Sequence, residues 1–516
     1  MPLPTEVERD ATASRADTYA SREPAAADLF LLVATSALLI ARVPLIFVRA
    51  FDNDEFEHCH AAWSVFRGML PYKDFFEHHT PWYYFALSPF FRWFAVDGSF
   101  DSARHFLIFG RLVSLALTAV SVTLIYLVGR LGANRRVGLL AALFLAGEPV
   151  VIHKTLEIRP DVPALALFIA SLWFLQQGLL VPEAPRPRQL RWFWGAGLCL
   201  GAAIMHTQKM LFAVPGMLAG LGLWTLAESR RLLHRRIFAV LVLLLGVTLP
   251  GFVTWLAFAR RGGGGLFIYD NFILNAHWQW RSSRNLQLVL KNSAPILCLC
   301  LVGASLALRR SARAARTYFS DATFLCALAG LVAGLLVVPA AYEQYDLPGL
   351  AIACLFAARG LSLLVTFIGH RSRSRWLVYA TVAFLIYPVF DLARAFGRRN
   401  DVQMARLQFV FAHTGPTDPV LDGWLGTDVF RPHPHYYFFM HRELQVSLTE
   451  RERNAYVEAL TSGRIRPALI TLDDELRALG SPFVEFVQRS YTSRYGLFYF
   501  PNQSEPSGAA LERRAR

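Results

Sequence analysis

The sequence has little charge. Asp, Glu, Lys and Arg make up 17% of its 516 residues, whereas an ordinary globular chain carries about 25%. Hydrophobic residues make up 54%, which is more than one soluble core can hold. Apolar blocks longer than about 18 residues recur between positions 27 and 396, and each is long enough to cross a bilayer as a helix. These features exclude a single water-soluble domain and predict an all-α polytopic membrane protein.

The signals of several other protein classes are missing. Five of the six cysteines lie in apolar blocks and only Cys59 lies in a polar segment, so no disulfide framework is indicated. The glycine run at 262–265 is not followed by Lys-Ser or Lys-Thr, so no nucleotide-binding loop is indicated. The net charge of +14 comes from short clusters between apolar blocks, a distribution that does not favour nucleic acid as a partner.

About eleven spans are predicted from the apolar blocks. They lie at 27–48, 105–128, 137–153, 161–180, 192–205, 210–227, 237–258, 291–308, 322–340, 349–368 and 376–396. The segment 81–96 is apolar but short and contains Pro89 and Arg92, so we interpret it as a helix that lies on the membrane surface. With that segment left out of the spans, five arginine-rich connections fall on the cytoplasmic side, as the positive-inside rule expects. If 81–96 were a span, every later loop would change sides.

The same count divides the chain into regions. Residues 1–26 lack the features of a cleaved signal peptide and are predicted to form a disordered cytoplasmic tail. The transmembrane domain covers 27–396 and includes a long first outer loop at 49–104. A small extracytoplasmic α/β domain is predicted at 397–505, with strands near 420–422, 468–472 and 496–500, a helix that starts with a capping box at Thr449 and Glu452, and a helix near 483–491. The Arg-rich end at 506–516 is predicted to be disordered.

Lysine is rare in this chain. Only four of the 52 basic residues are lysines, and on the predicted topology all four lie on the outer side: Lys73, Lys154, Lys209 and Lys291. One explanation is that the chain is biased towards arginine and that its four lysines lie on the same side by chance. The functional interpretation is that some of these lysines meet an anionic group at the membrane surface, where a compact ammonium suits a phosphate.

Other ionisable residues gather at the same outer ends. They are Asp54, Glu55, Glu77, His78, His79, Glu157, Arg159, Asp161, His206, Glu343, Tyr345 and Asp346. Each residue taken singly could be a solvated loop charge. Ionisable groups at the edge of hydrocarbon are costly, however, so their convergence from several spans indicates a site.

Three arginines, Arg42, Arg111 and Arg359, lie within predicted spans. Structural pairing is the default account of such residues. Arg111 lies near an outer end and is the best candidate among them for contact with a ligand.

Glu77, His78 and His79 are a candidate metal site. Adjacent histidines cannot easily face one ion together, and no spaced histidine or cysteine completes the set. The sequence therefore predicts no cofactor, and a divalent metal ion at this turn is the less favoured alternative.

Several of these residues together resemble the polytopic GT-C glycosyltransferases. The similar features are an acidic pair after the first span, a long first loop with Gly68, Pro71, Tyr72 and Asp74 followed by Glu77, His78, His79, Thr80 and Pro81, the sequence Arg159, Pro160, Asp161, a lysine at Lys209, and Tyr345, Leu347 and Pro348 before a late span. The closest branch comprises the bacterial relatives of the dolichyl-phosphate-mannose protein mannosyltransferases and of the aminoarabinose transferases that modify lipid A. The resemblance covers about 27–396. Relatives often have Lys-Pro-Pro where this chain has His79, Thr80 and Pro81, which is a departure at that turn.

The resemblance implies transfer of a sugar from a polyprenyl-phosphate carrier to an acceptor hydroxyl on the extracytoplasmic side of the bacterial inner membrane. The acceptor would be an envelope glycolipid, a polysaccharide or a protein. Asp54 is expected to be the general base in an inverting reaction, with Glu55 as the alternative. The donor phosphate is expected to meet Arg159, Lys209, Lys73, Lys154 and Tyr345. The residues expected to bind acceptor or sugar are Glu77, His78, His79 and Asp161.

A transporter or lipid flippase is the competing interpretation. Such proteins also have many spans and a few membrane charges. They commonly contain internal repeats and helices broken near the membrane centre, whereas this sequence shows no repeat and its charges collect at the outer ends.

Overall fold

The computed structural model describes residues 26–180, 186–227, 230–278, 284–309, 315–338, 342–368 and 373–502. Within these ranges, nine helices are long and apolar enough to cross a membrane. They are Ala26–Val48, Phe100–Gly132, Asp161–Leu180, Gln208–Leu226, Leu233–Ala259, Val289–Arg309, Thr317–Val337, Glu343–Ile368 and Ser374–Ala395. The predicted polytopic helical fold is confirmed. The two predicted tails lie outside the described residues, apart from position 26.

Two further predicted spans form helices that are not both long and apolar enough to be counted with these nine. One is divided into Arg135–Gly147 and Pro149–Lys154, because Glu148 has an extended backbone and caps the second helix with its side chain. The other is Arg186–His206, which carries three arginines in its first turns. The count of eleven therefore stays a prediction.

Small residues allow the helices to approach closely. A Cβ atom on Gly197 would collide with the carbonyl oxygen of Leu243, and one on Gly303 would collide with that of Phe356. Each glycine lies where its helix crosses a neighbour, which is the packing expected when lipid supplies no hydrophobic drive between helices.

The first loop after Ala26–Val48 is built from short elements. Its main helix, Asn53–Phe66, begins with a capping box in which Asp52 accepts from a backbone N–H in the first turn and Glu55 accepts from Asp52 N. The segment 81–96 forms the α-helix Trp82–Leu87 and the 3-10 helix Ser88–Trp93. Neither is long enough to span a bilayer, which agrees with the interpretation of this segment as a surface element.

Short helices also interrupt the connections between the long ones. They are the 3-10 helix Gln208–Phe212, the α-helices Gly264–Ile268 and Leu274–Ala276 with the π-helix Tyr269–Ile273 between them, and the 3-10 helix Glu343–Asp346. Their positions place polar side chains at one end of the helical bundle.

Residues 401–502, here called the C-terminal domain, form the predicted small α/β unit. Its strands are β1 (Val420–Asp422), β2 (Leu469–Thr471), β3 (Tyr491–Tyr495) and β4 (Phe498–Pro501), and its helices are Asp401–His413, Arg442–Ser447, Glu450–Thr461, Asp474–Arg477 and Ser481–Ser490. The sheet order is β1-β2-β4-β3, with β1 and β2 parallel and the other pairs antiparallel. The capping box at Thr449 and Glu452 is confirmed. The sequence did not predict β3, which starts where the predicted helix at 483–491 ends.

The C-terminal domain packs against the first loop. Phe76 N donates to the Tyr436 carbonyl at 2.9 Å, and the rings of His60 and His433 meet through an N–N contact of 2.7 Å. Aromatic and aliphatic side chains of both regions form one buried cluster. The domain therefore covers one end of the bundle.

Contacts at the two ends of the helix Ala26–Val48 show which connection lies at the end of the bundle opposite the C-terminal domain. Near its start, Asp28 pairs with Arg135 and Arg136 at 3.3 and 3.5 Å. Just past its end, Ala50 N donates to the carbonyl of Arg398 at 2.8 Å, next to the C-terminal domain. Because the helix joins the two sites, the arginine-rich connection at 130–136 and the C-terminal domain lie at opposite ends of the bundle.

Candidate active site

A cavity of about 570 Å³ lies where the first loop, the ends of the long helices and the C-terminal domain meet. Its polar wall residues are Asp52, Asp54, Glu57, His78, His79, Lys154, Gln208, Lys209, Asn271, Asn275, Gln344, Tyr345, Tyr342, His441 and Glu443. Trp278, Trp424, Phe212 and Phe272 are among its apolar walls. A mixed wall of aromatic rings and converging charges is typical of a ligand site.

Asp54 occupies the first turn of the helix Asn53–Phe66 and faces the cavity. Its side chain keeps 30% of its surface exposed while it pairs with Arg159. Burial and the neighbouring Asp52 raise the pKa of Asp54 to about 6, against the opposing effect of Arg159. A carboxylate with a pKa near neutrality is suited to accept a proton at physiological pH.

Arg159 lies behind Asp54 and is not part of the cavity wall. Its side chain is only 1% exposed. It donates to Glu157 at 2.6 Å and to Asp54, and its Nε lies 3.6 Å from Asp161 Oδ2. This placement corrects the expectation that Arg159 binds the donor phosphate directly, because carboxylates already surround its guanidinium. Arg159 instead holds Asp54 in place.

Arg159 is the centre of a larger ion-pair network. The other contacts are Arg49–Glu157 at 3.0 Å, Lys154–Asp52 at 3.0 Å, Lys154–Glu157 at 3.3 Å and Lys209–Asp161 at 3.2 Å. Four carboxylates thus meet four cations that come from the end of the first span, the first loop, the connection at 154–161 and the turn at 208–212. Burial alone would raise the pKa of Asp52, but Lys154 and Arg159 lower it below its usual value.

Lys209 and Lys154 are the cations of this network that line the cavity, and Lys209 also contacts an aromatic ring there. Lys209 belongs to the 3-10 helix Gln208–Phe212 and places its ammonium 3.6 Å from the centre of the Tyr345 ring. Asp161 holds the ammonium from behind and does not itself line the cavity. The structure therefore brings Lys209, Tyr345 and Lys154 together, and it gives Asp161 an orienting position in place of the predicted contact with sugar.

Two predicted site residues lie elsewhere. Lys73 is exposed, donates to the carbonyl of Arg261 at 3.0 Å and is not part of the cavity wall. Glu55 is fully buried and accepts from Arg111 Nε at 2.9 Å, Arg111 Nη2 at 2.6 Å and Ile158 N at 3.0 Å. With its oxygens occupied in this way, Glu55 has no access to an acceptor hydroxyl and is not an alternative base.

The three arginines predicted within spans are held by internal partners. Arg111 also donates to backbone carbonyls at the end of the first span, including Arg49 at 2.8 Å. Arg42 donates to Thr155 at 3.3 Å and to a backbone carbonyl, and Arg359 pairs with Asp321 at 2.6 Å. Arg111 is therefore a structural residue and not a ligand contact.

The turn that starts at Glu77 is organised by that buried carboxylate. Glu77 Oε1 accepts from His78 N, His79 N and His79 Nδ1 at 2.9, 3.0 and 2.9 Å. The two imidazoles line the cavity and Glu77 does not. Burial lowers the pKa of both histidines, that of His79 to about 3, so they are neutral at physiological pH.

Glu57 was not among the predicted site residues. It lies three residues after Asp54, and residues with this spacing share a helix face, so the sequence did carry a signal for it. Burial and the nearby Glu77 raise its pKa well above the usual value. Four possible ligand atoms lie within 4.8 Å of one another: one carboxylate oxygen each from Glu57 and Glu77, and one ring nitrogen each from His78 and His79. The reason for expecting no metal at this turn, that the histidines could not face one ion, does not hold in the folded chain.

The C-terminal domain adds wall residues that could not be predicted from the sequence. Trp424 and His441 stack with ring centres 4.5 Å apart, and the Tyr342 hydroxyl donates to Glu443. Burial and the contact with Glu443 raise the pKa of Tyr342 above its usual value. These residues join the cavity only through the docking of distant segments.

Comparison with known proteins agrees with the fold described above. The family model for dolichyl-phosphate-mannose-protein mannosyltransferase matches residues 103–256. No curated protein matches the sequence with statistical significance. Among solved structures, ArnT from Cupriavidus metallidurans bound to undecaprenyl phosphate superposes with a TM-score of 0.63 at 14% identity, over 92% of this chain and 98% of that one.

A second similar structure is the oligosaccharyltransferase of Archaeoglobus fulgidus in its apo form. Its TM-score is 0.59 at 11% identity, over 92% of this chain and 75% of that one. At such identities the likeness establishes the fold, and the predicted GT-C architecture is confirmed. This chain is a multi-pass membrane protein of the GT-C fold whose residues 103–256 match the dolichyl-phosphate-mannose-protein mannosyltransferase family.

Proposed function

We propose that the protein is a membrane glycosyltransferase that moves a sugar from a polyprenyl-phosphate carrier to an acceptor hydroxyl. One observation carries the proposal: the Asp54 carboxylate, with a pKa raised to about 6, faces the same cavity as the Lys209 ammonium. The shared fold with ArnT, which binds undecaprenyl phosphate in its structure, supports a polyprenyl-phosphate donor.

In the proposed reaction Asp54 takes the proton of the acceptor hydroxyl while the oxygen attacks the anomeric carbon. The bond between that carbon and the phosphate oxygen breaks, and its electron pair leaves with the lipid phosphate. A single displacement of this kind inverts the anomeric configuration. Because the leaving group is already an anion, it needs nearby positive charge and not a strong acid.

Lys209 supplies that charge, with Lys154 and the Tyr345 hydroxyl as further partners on the same wall. Arg159 acts on Asp54 and not on the donor, since its guanidinium is buried among carboxylates. Holding donor and acceptor in one cavity makes the attack effectively intramolecular, which supplies a large part of the rate enhancement.

The cavity is proposed to face the extracytoplasmic side of a bacterial inner membrane. The connection with Arg130, Arg135 and Arg136 lies at the opposite end of the bundle, where positive loops belong on the cytoplasmic side. On this side the acceptor would be an envelope glycolipid, a polysaccharide or a protein.

The test uses the purified full-length chain in lipid nanodiscs with a panel of radiolabelled polyprenyl-phosphate sugars and envelope acceptors. Asp54→Asn should lower the transfer rate by about 10²- to 10⁴-fold, the range for loss of a general base. The matched control is Asp401→Asn, because Asp401 also lies in a first helical turn but is exposed and does not line the cavity.

Two outcomes contradict the proposal. Transfer by Asp54→Asn near the wild-type rate would remove Asp54 as the base. Movement of lipid across the bilayer of sealed vesicles that contain the wild-type chain, with no release of carrier phosphate for any sugar, would instead identify a transporter or flippase.

A further inference from the structure

The side chains of Glu57, Glu77, His78 and His79 converge beside the cavity, and no lysine or arginine of the described residues forms an ion pair with the two carboxylates. His79 Nδ1 lies 2.9 Å from Glu77 Oε1 and 3.9 Å from Glu57 Oε1, and His78 Nδ1 lies 3.8 and 3.9 Å from the same two oxygens. They come from two elements, the helix Asn53–Phe66 and the turn that follows Phe76. An ion with bonds of about 2.0–2.2 Å holds neighbouring ligand atoms roughly 3–4 Å apart, so the observed spacing already suits one ion.

Two of these four atoms lack a hydrogen-bond partner within the described part of the chain. They are Glu57 Oε1 and His78 Nδ1. The side chains of Glu57 and Glu77 are only 3% and 0% exposed. A buried carboxylate oxygen without a partner is costly, and a bound cation removes that cost.

The neighbouring cations do not neutralise the carboxylates of Glu57 and Glu77. The four cations Arg49, Lys154, Arg159 and Lys209 are matched by four carboxylates of the network described above. Among the described residues, the ion pairs of Glu57 and Glu77 are with His78 and His79 alone. Two carboxylates are therefore left beside neutral imidazoles, which is a charge arrangement that a divalent ion completes.

We propose that Glu57, Glu77, His78 and His79 bind one divalent transition-metal ion, with Zn²⁺ the best match to two imidazole nitrogens and two carboxylate oxygens. The proton that His79 Nδ1 shares with Glu77 moves to Nε2 as the ion binds, so His79 ligates through Nδ1 as a neutral imidazole, and His78 ligates through its own Nδ1. The inference is carried by the ligand geometry and does not rest on glycosyl transfer.

An ion at this position has two physical effects. It ties the turn at 77–81 to the helix that carries Asp54, which holds one wall of the cavity in place. It also adds a positive charge to a wall on which His78 and His79 are otherwise neutral, so an oxygen of a bound ligand finds a Lewis acid there.

The experiment measures metal directly. Full-length protein is purified in nanodiscs without chelator, its metal content is determined by mass spectrometry, and the metal-free protein is titrated with Co²⁺ while the visible d–d absorption is recorded. We expect close to one ion per chain and absorption bands of a nitrogen- and oxygen-ligated Co²⁺ that Zn²⁺ displaces.

Glu57→Gln and His79→Gln should each weaken Co²⁺ binding by at least about tenfold, since even groups outside the ligand shell contribute 10- to 100-fold in known sites. His413→Gln and Glu458→Gln are matched controls on exposed positions of the C-terminal domain. Circular dichroism of each variant shows whether it has kept its helical fold, and Glu57→Gln is isosteric, so it gives a second reading if His79→Gln does not fold.

Either of two results overturns the proposal. Wild-type protein that retains no metal and gives no Co²⁺ bands would show that Glu57 and Glu77 hold protons. Bands that persist unchanged in a folded Glu57→Gln variant would show that Co²⁺ binds somewhere else.

Discussion

Asp54 and Glu55 are adjacent in the chain, yet their carboxylates have different surroundings. Successive residues of a helix point about 100° apart, so the helix Asn53–Phe66 turns Asp54 towards the cavity and Glu55 towards Arg111. The difference in access decides their roles. Asp54 can exchange a proton with a ligand, while Glu55 is fully buried and stabilises the fold through its ion pair with Arg111.

The raised pKa of Asp54 predicts the pH dependence of transfer. A base acts only when deprotonated, so kcat/KM should rise through about pH 6 and level off above it. A pH series of initial rates with acceptor well below its KM measures this limb. A midpoint near 4, the usual value for a carboxyl group, would contradict the environment described for Asp54.

The same shift predicts that Asp54→Asn does not unfold the protein. Because the pKa of Asp54 is higher in the folded chain than its ordinary value, ionisation costs stability as pH rises through the interval between the two values. An uncharged Asn avoids that cost at pH 7, although it weakens the contact with Arg159. Thermal melting should therefore occur close to the wild-type temperature, which separates lost transfer from lost folding.

Lys209 is the second residue with a distinct expected phenotype. Lys209→Met should raise KM for the lipid-linked donor by about 10- to 100-fold, the equivalent of roughly 1.5–3 kcal/mol for a charged hydrogen bond. Lys291→Met is the control, since Lys291 is an exposed lysine outside the cavity wall. Equal donor KM values for the two variants would exclude Lys209 from the phosphate site.

At the scale of elements, Arg111 joins the first span to the first loop. From the helix Phe100–Gly132 it donates to the carbonyls of Ile46, Arg49 and Ala50 and to both oxygens of Glu55. The position of the helix that carries Asp54 therefore depends on an arginine from a different span.

Arg111→Met should destabilise the protein by about 3–5 kcal/mol, because it leaves the buried Glu55 carboxylate without its cation. Thermal melting in detergent followed by circular dichroism measures the loss, and Arg104→Met is the control on an exposed position of the same helix. Adding Glu55→Gln to Arg111→Met should restore part of the stability. If the single variant melted like the control, the buried pair would not hold these elements together.

The whole molecule has two ends with different chemistry. One carries the cavity and the C-terminal domain, and the other carries the arginine-rich connection that meets Asp28. The proposed orientation predicts that a reporter enzyme fused after residue 516, active only outside the cytoplasm, is active in cells. A reporter active only in the cytoplasm would place the cavity on the opposite side and contradict the proposed site of transfer.

The helical spans, the resemblance to GT-C enzymes and most members of the charged cluster were predictable from sequence. The length and apolar content of a span can be read from one segment of the sequence. Ionisable residues at the ends of a span can also be recognised there, because they interrupt an otherwise apolar pattern. The sequence could not show that Arg159 is enclosed by carboxylates, that Lys73 points away, or that Trp424, His441 and Glu443 complete the wall. Those facts depend on contacts between segments far apart in the chain.

The amino-acid sequence by itself determined that the chain crosses the membrane many times and that its ionisable residues lie mostly at the ends of the spans, because the cost of burying charge in lipid acts on each segment separately. Only the tertiary structure decided which of those charges are neutralised and which face the cavity. Helix rotation turned Asp54 inward and Glu55 to Arg111. Packing of the first loop placed Glu57 beside His78 and His79, since the pairing of ions requires a few ångströms of proximity that no single segment can specify.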